Sequence, residues 1–516
     1  MSVLSRWYIY GNKEETHEYR IYEKNHFFRH NIRPPTWGGG NYNFPGRLNI
    51  IVLFAAALFL AAAFFVTYSE PNESDAATAF TIGGVKYNAT SGLEVSAVGY
   101  DSSVSANLEI PSTVNDGGPD GGTDYSVTSI GDGAFRDCTN LETVTINGNV
   151  GTIGYIAFYE CTNLETVTIQ GNVGTIGNEA FMYCESLKDV TIQGNVTSVG
   201  SYAFGACTGL ISVTIQGNVE TIGYGAFSSC TSLGDTMVQE ILDGVVSIGG
   251  GAFSSCTGLT SLVIPDSVET IGTYAFAGCK GLTSIVIPDS VETIGDSAFA
   301  FCESLKTVTI PNSVNTIDDY AFWACTNLKT VIIEGDVETI GDSAFGACTG
   351  LTSIEIPNSV NTIDDWAFEG CTNLKTVIIE GNVGTIGEGA FYDCINLESV
   401  TIEGDVGTIE RGAFYSCTSL TSIVIPDNVT TMSSYGVYAF TDCESLASVT
   451  VTGGLVGEEK TLLTDGIIDK YFKNGTDWKL PGMSSYDPTP IKSLTLRGIS
   501  SLDYDPNNED GKGGIA

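Results

Sequence analysis

The sequence contains fourteen cysteines, a residue type that can bind metals, form disulfides or act as a nucleophile, and their spacing is regular. They recur every 23 residues from Cys138 to Cys443, apart from two steps of 26. A zinc site needs clustered pairs such as C-x-x-C, and the sequence contains none. Equivalent side chains of stacked turns lie about 4.8 Å apart and parallel, whereas a disulfide needs converging Cβ atoms about 3.8 Å apart. The spacing therefore predicts a ladder of buried free thiols.

Histidine, the side chain most often used for acid–base catalysis, is scarce. The three histidines, His17, His26 and His30, all precede a hydrophobic segment, so the rest of the chain has no Ser-His-Asp triad, Cys-His dyad or histidine metal ligand. Two adjacent acid pairs could act as glycosidase carboxylates, but they also fit a solvated edge: Asp318-Asp319 and Asp364-Asp365. The tail from Asp503 resembles a calcium loop with its glycine displaced. We expect no enzyme, no cofactor and no metal.

The charge and one apolar segment divide the chain into two compartments. The net charge of −39 repels nucleic acid, so a nucleic-acid partner is not expected. Residues 48–66 are 19 residues without a charge, long enough to span a bilayer. Arg47 precedes this segment and acids follow it, which predicts a cytoplasmic tail at 1–47 and an extracellular remainder. Whether 48–66 stays as a membrane anchor or is cleaved as a signal, giving a secreted protein, is left open.

The cysteines mark a repeat that accounts for most of the chain. One unit, from Thr152 to Val173, reads TIGYIAFYECTNLETVTIQGNV. Val167 and Ile169 alternate with Thr168, which is typical of a short strand, and Gly-Asn or Pro-Asp-Ser follows as a turn. Ala, Phe and Cys at offsets of one and three fit a tight helical turn. A lone unit buries too little to fold, so the units must stack as a solenoid.

The units resemble the BspA-like branch of leucine-rich-repeat proteins, whose hallmark is A-F-x-x-C followed by L-x-x-V-x-I-P. The segment AFAGCKGLTSIVIP, from Ala275 to Pro288, carries that pattern. The resemblance covers about residues 127–452 and implies a leucine-rich-repeat solenoid, β-rich, with a parallel sheet and short 3₁₀ or helical turns, in about 14 coils of 23 residues. It also implies display at a cell surface and adhesion to proteins of host or neighbouring cells.

The segments around the repeats have other compositions. Residues 67–79 read as a linker and residues 80–126 as a β-rich N-terminal cap. The 23-residue period does not continue into residues 453–516. We expect these residues to form a C-terminal cap and a flexible tail, with one more strand within 491–499.

The candidate ligand-binding residues lie on the solvent side of the strands. Between the inward-facing residues, later strands carry β-branched apolar side chains: Val263, Val286, Ile332, Ile378 and Val424. Their pattern fits either a ligand-binding face or the ordinary preference of β-branched residues for strands. Aromatic residues directly before the Ala-Phe pair form a second set, which fits either a structural rim or a binding hot spot: Tyr202, Tyr274, Tyr320 and Trp366.

These patterns predict a non-catalytic extracellular adhesion protein that recognises a protein or glycan partner through its solenoid surface. The alternative is a structural component of the cell envelope without a specific ligand.

Overall fold

In the computed structural model, the described residues are 79–118, 121–426, 429, 431–432, 439–452 and 493–497. None of the helices in these ranges has the length and apolar character required to cross a membrane. The predicted cytoplasmic tail 1–47, the apolar segment 48–66, nearly all of the linker and the calcium-like tail lie outside the described residues.

The first described elements are β-strands of an N-terminal region. Its strands are β1 (Ala79–Ile82), β2 (Val85–Ser91), β3 (Glu94–Tyr100), β4 (Asn107–Ile110), β5 (Thr113–Asn115) and β6 (Asp124–Ile130). Strands β1, β2 and β3 form an antiparallel meander, and β3 then pairs in parallel with β6. Because β4 and β6 each pair with a strand of the first repeat, this region continues directly into the repeat array.

The predicted solenoid is confirmed: the chain winds through about 13 turns of about 23 residues. Most turns contribute one strand to each of two parallel arrays. The front sheet continues from β4 through β7 (Thr143–Ile146), β9 (Thr166–Ile169), β11 (Asp189–Ile192), β13 (Ser212–Ile215), β16 (Ser261–Val263), β18 (Ser284–Val286), β20 (Thr307–Ile310), β22 (Thr330–Ile333), β24 (Ser353–Ile356), β26 (Thr376–Ile379), β28 (Ser399–Ile402), β30 (Ser422–Ile425), β32 (Ser448–Thr452) and β33 (Ser493–Arg497).

The second sheet was not expected from the sequence. It continues from β6 through β8 (Val150–Ile153), β10 (Val173–Ile176), β12 (Val196–Val199), β14 (Val219–Ile222), β15 (Ser247–Ile248), β17 (Thr270–Ile271), β19 (Thr293–Ile294), β21 (Thr316–Ile317), β23 (Thr339–Ile340), β25 (Thr362–Ile363), β27 (Val383–Ile386), β29 (Val406–Ile409) and β31 (Thr431–Met432). Five of its seven two-residue members follow a turn that begins with proline: β17, β19, β21, β25 and β31. After a proline turn, the Val268 N–H folds back to the Pro265 carbonyl at 3.0 Å, so the strand starts only at Thr270.

One turn replaces its front strand with a helix. The first three-residue insertion forms α1 (Asp235–Leu242), which contacts β13 on one side and β16 on the other. Val238, Ile241 and Leu242 anchor it because they point into the core. Strand pairing in the front sheet stops after β13, where α1 intervenes, and again after β18 and after β22. The second sheet pairs across the α1 turn through β14 and β15.

The core consists of columns of identical side chains. The fourteen phenylalanines of the A-F-x-x-C segments, from Phe135 to Phe440, stack with ring centroids 5.0–5.6 Å apart. All fourteen cysteines are buried free thiols, as predicted. From Cys161 to Cys443, each Sγ donates a hydrogen bond at 3.1–3.3 Å to the carbonyl of a Phe one turn earlier. The thiols therefore link neighbouring turns as well as filling space.

The third side of each turn, the A-F-x-x-C segment, is a run of tight turns. In one unit the N–H groups of Ala157 and Cys161 bond to carbonyls three residues earlier, those of Gly154 and Phe158. The residues before Ala and before Cys take the left-handed conformation, with φ of 49° at Ile156 and 57° at Glu160. This alternation interrupts the helical turn that the Ala-Phe-Cys spacing suggested, because left-handed residues cannot continue a right-handed helix.

Candidate functional site

The apolar residues predicted on the strand face are solvent-exposed on the front sheet. Val263, Val286, Ile332 and Val424 are 51%, 55%, 49% and 43% exposed, and Ile378 is partly buried. Their neighbours along each strand point into the core, so the outward direction follows from the period-2 geometry of a strand. The placement expected from the alternation is the one observed.

The register shows which of these side chains the fold brings together. Val263 and Val286 are direct partners on the adjacent strands β16 and β18. Further along, polar residues separate the apolar ones: Thr309 pairs with Ile332, Glu355 and Thr401 flank Ile378, and Thr450 pairs with Val424. The face is therefore one apolar pair followed by isolated apolar residues within a polar ladder.

The valine pair lies beside the turn that contains helix α1. Helix α1 contacts β16, the strand that carries Val263, and its Asp235 side chain accepts hydrogen bonds from the backbone N–H and the hydroxyl of Thr260 at 2.6 and 2.7 Å. Met237 is partly buried on the same helix. We name the surface formed by Val263, Val286 and α1 the valine–helix patch. The sequence marked the insertion but did not predict that it is a helix.

The predicted aromatic residues lie elsewhere. All four are half-buried in the A-F-x-x-C segments and take left-handed conformations with φ of 53–60°: Tyr202, Tyr274, Tyr320 and Trp366. A Cβ atom added to Gly389, the equivalent position one turn later than Trp366, would lie 2.5 Å from the Trp366 ring. This ring therefore covers a glycine of the next turn, which supports the structural interpretation of the rim.

Acidic residues line the same side of the later turns. We name Asp296, Asp319, Asp342, Asp365 and Glu388, equivalent residues of five consecutive turns, the acidic ridge. Two of its carboxylates accept backbone hydrogen bonds from the next turn: Asp319 from the Asp342 N–H at 2.8 Å, and Asp365 from the Glu388 N–H at 2.7 Å. No group of three or more His, Cys, Asp or Glu side chains suited to a metal ion occurs within the described ranges. These acids have a structural use in joining turns.

The acidic ridge should make stability depend on pH. Burial, and then the charges of Asp319, Asp365 and Asp364, raise the pKa of Asp342 to about 6, although a hydrogen bond from Ser343 opposes the shift. A carboxyl whose folded pKa exceeds its unfolded value destabilises the fold as pH rises between the two values, here from about 4 to about 6. Asp342→Asn should therefore raise the free energy of unfolding at pH 7 by about 1 kcal/mol, after allowance for solvent screening, and give no gain at pH 4.

Urea unfolding at pH 7 and pH 4 would test this prediction. Asp289→Asn, in an exposed turn away from the ridge, is the matched control and should change little at either pH. An equal gain from Asp342→Asn at both pH values would contradict it.

Several exposed tyrosines were not identified in the sequence because most other units carry a different residue at the same repeat positions. Tyr155 and Tyr224 are both 43% exposed and Tyr183 is 37% exposed, and all three lie in early A-F-x-x-C segments.

Comparison with known proteins places the repeat array in a defined group. A profile of the BspA-type leucine-rich repeat region, in six copies, matches residues 123–234, 239–352 and 338–458, which is more than half of the chain. None of the curated protein sequences compared with the chain matches it.

Solved leucine-rich repeat structures are similar to the chain at low identity. A leucine-rich repeat protein from Bacteroides ovatus is 24% identical, with 72% of this chain and 89% of that chain covered and a TM-score of 0.45. A leucine-rich cell surface protein from Faecalibacterium prausnitzii is 27% identical, with 64% and 96% covered and a TM-score of 0.38. The pneumococcal vaccine antigen PcpA is 18% identical, with 73% and 87% covered and a TM-score of 0.42.

Proposed function

Because this chain belongs to the BspA-type leucine-rich repeat family, we propose that it is a non-catalytic binding protein whose valine–helix patch holds a protein partner outside the cell. The hydrophobic segment 48–66 supports an extracellular position for the repeats, since acids follow it and Arg47 precedes it. In this proposal the segment either tethers the repeats to the membrane or directs their secretion.

The exposure of the paired valines carries this proposal. Two adjacent β-branched side chains, each about half exposed, leave apolar area in water that a partner would bury. The next strand, β20, presents Thr309 at the equivalent position. An apolar centre with a polar surround is the usual anatomy of a protein-binding hot spot.

The turn that contains α1 supports the same location. A repeat array presents almost the same surface in every turn, so a specific partner needs a feature that occurs once. In the described part of the chain α1 is the only α-helix, and it lies beside the valine pair. Its Thr236 and Glu240 side chains are exposed and can provide polar contacts around the valines.

A non-catalytic role agrees with the site chemistry. The cysteine thiols are buried and donate hydrogen bonds to carbonyls, and burial raises the pKa of nearly all of them, which leaves little reactive thiolate. The acidic ridge is used in joining turns. These groups have structural roles, so surface recognition is the function that the repeat array supports best.

The proposal can be tested with the full chain on surfaces coated with fibronectin, laminin or mucin, and on intact cells. Val263→Asp with Val286→Asp should weaken binding about tenfold or more, because two charges would enter the apolar centre of the contact. Val246→Asp is the matched control, because Val246 is 49% exposed but precedes β15 on the second sheet.

Equal binding by the double variant and the unchanged chain would refute the valine–helix patch as the binding site. Binding to mucin that is lost on deglycosylation would show a glycan partner instead. If no coated surface or cell is bound, the alternative of an envelope component without a specific ligand is favoured.

A further inference from the structure

Two lysines beside the valine–helix patch differ from the other basic residues of the array. The repeats contain seven Lys or Arg residues, and five of them pair with an acid at 2.8–3.7 Å: Arg136, Lys188, Lys280, Lys375 and Arg411. The other two, Lys306 and Lys329, are exposed and form no ion pair with any residue that the structure describes. We name these two residues the lysine pair. Their positive charges are available to a partner.

The members of the lysine pair occupy the same repeat position in consecutive turns. Lys306 directly precedes strand β20 and Lys329 directly precedes β22. The Lys329 N–H bonds to the Lys306 carbonyl at 2.9 Å. Parallel strands hold such equivalent residues about 4.8 Å apart. The two ammonium groups therefore start from neighbouring backbone positions at one edge of the front sheet.

The same repeat position in other turns shows how the chain balances a lysine there. Lys188 pairs with Glu165 of the preceding turn at 3.0 Å, and Lys375 pairs with Glu398 of the following turn at 3.2 Å. Side chains at this position thus reach their counterparts one turn away. In the lysine pair both counterparts are positive, and like charges on neighbouring strands are unfavourable. A carboxylate placed between the two lysines would remove this repulsion.

The residues around the lysine pair do not supply that carboxylate. The same repeat position is Thr283 in the turn before and Thr352 in the turn after. Glu303 belongs to the turn of Lys306, but it pairs with Lys280 at 2.8 Å. Among the described residues, this edge of the sheet therefore keeps an unbalanced positive charge.

The two edges of this part of the front sheet differ in charge. Asp289 and Glu334 follow strands β18 and β22, whereas the lysine pair precedes β20 and β22. Strands of three or four residues separate the two edges by roughly 10–13 Å. At physiological ionic strength, charges more than about 8 Å apart are largely screened. The lysine pair therefore sets the local sign at its own edge, although the net charge of the chain is −39.

The lysine pair continues the valine–helix patch along the front sheet. Val286 lies on β18, and the Lys306 N–H bonds to the carbonyl of Thr283, the residue before β18, at 3.2 Å. On β22, the strand that follows Lys329, Ile332 is 49% exposed. A segment that covers the valines therefore reaches the lysine pair within two turns.

We propose that the partner of the valine–helix patch is an acidic protein segment, whose apolar side chains cover Val263 and Val286 and whose carboxylates bind the lysine pair. This inference rests on the proposed function, because it names the partner class of the same site. A protein segment fits because it combines apolar and anionic side chains. An anionic polysaccharide would meet the lysines but leave the valines in water. Charged groups beside an apolar centre also select the partner.

Selection from a display library of random short peptides against the full chain would test the composition of the partner. Peptides retained by the unchanged chain but not by the Val263→Asp, Val286→Asp variant should be rich in Asp and Glu as well as in apolar residues. Selection against Lys306→Gln with Lys329→Gln should keep the apolar residues and lose the acids.

The outcomes of the selection separate the two proposals. Equal acid content in the peptides retained by the unchanged chain and by the double lysine variant would overturn the acidic partner and leave the proposed function intact. If the unchanged chain and the double valine variant retained the same peptides, the valine–helix patch would be wrong, and the inference would fail with it.

One selected acidic peptide then measures the contribution of the lysine pair. Lys306→Gln with Lys329→Gln should weaken its binding about fivefold, because exposed ion pairs are individually weak. Lys188→Gln with Lys375→Gln is the matched control: it removes the same charge from the same repeat position, but these lysines already have acid partners. The control should leave binding unchanged. Equal weakening by both double variants would show a general effect of net charge and overturn the assignment.

Charge reversal separates a binding role from a structural one. Lys306→Glu with Lys329→Glu should bind a peptide with lysine in place of each acid more tightly than the original peptide. An unchanged preference for the original would refute the ion pairs. Lys329→Glu alone recreates the arrangement of Lys188 and Glu165, so it should raise the urea midpoint slightly while it weakens peptide binding. A lower midpoint would contradict the repulsion from which the inference starts.

Discussion

Replacing Phe299 with alanine should lower the free energy of unfolding by about 4 kcal/mol, a typical cost for a fully buried Phe. The side chain is fully buried, and its ring stacks on Phe276 at 5.5 Å and on Phe322 at 5.3 Å. Because equivalent rings of the two neighbouring turns lie directly against it, the substitution leaves a cavity between three turns that the regular backbone cannot close. Urea unfolding followed by circular dichroism would measure the loss.

Phe301→Ala is the matched control for this prediction. Phe301 belongs to the same turn but is only half-buried, and its main ring contact is an edge contact with Trp323 at 4.7 Å. It should cost about 1 kcal/mol. If Phe299→Ala and Phe301→Ala lowered the free energy of unfolding by similar amounts, the result would contradict the view that the phenylalanine column stabilises the core.

Gly389→Ala should destabilise the protein by roughly 3 kcal/mol. Gly389 has φ of +62°, and a Cβ atom there would lie 2.5 Å from two ring atoms of Trp366. The substitution therefore adds overpacking to the cost of a left-handed alanine. Thermal unfolding of the variant would give the size of the effect.

Two further variants separate the cost of the left-handed backbone from the cost of overpacking. Gly133 has φ of +59° at the equivalent position of an early turn, but an added Cβ would meet only Ile156 side-chain atoms at 3.9 Å. Gly133→Ala should therefore show the backbone cost alone, about 1 kcal/mol. Combining Gly389→Ala with Trp366→Ala should recover part of the loss, and additive losses in that double variant would argue against the ring contact.

The sequence predicted the features that recur in every unit. The 23-residue step of the cysteines, the alternation of Val167 and Ile169 around Thr168, and the Ala-Phe pair predicted a stacked solenoid with buried thiols. Each of these features concerns a buried position, and a buried position restricts residue type in every turn. The predicted orientation of Val263 and Val286 followed from the same alternation.

Features that depend on contacts between turns were missed. In the second sheet two residues separate the buried Val150 and Ile153, so a search for period-2 alternation did not detect these strands. The helix α1 occurs in one turn only, and its eight residues gave too short a pattern to recognise. The bond from the Cys161 thiol to the Phe135 carbonyl depends on the offset between turns, which residue spacing does not specify.

The hydrogen bonds between turns also bear on how the chain reaches its native state. A typical bond of this kind joins residues about 23 positions apart, as from the Phe158 N–H to the Ala180 carbonyl, so relative contact order stays low for a chain of 516 residues. Structure can then nucleate in any small group of turns and grow in both directions. The first repeats can become ordered during synthesis, before the ribosome has translated the last ones.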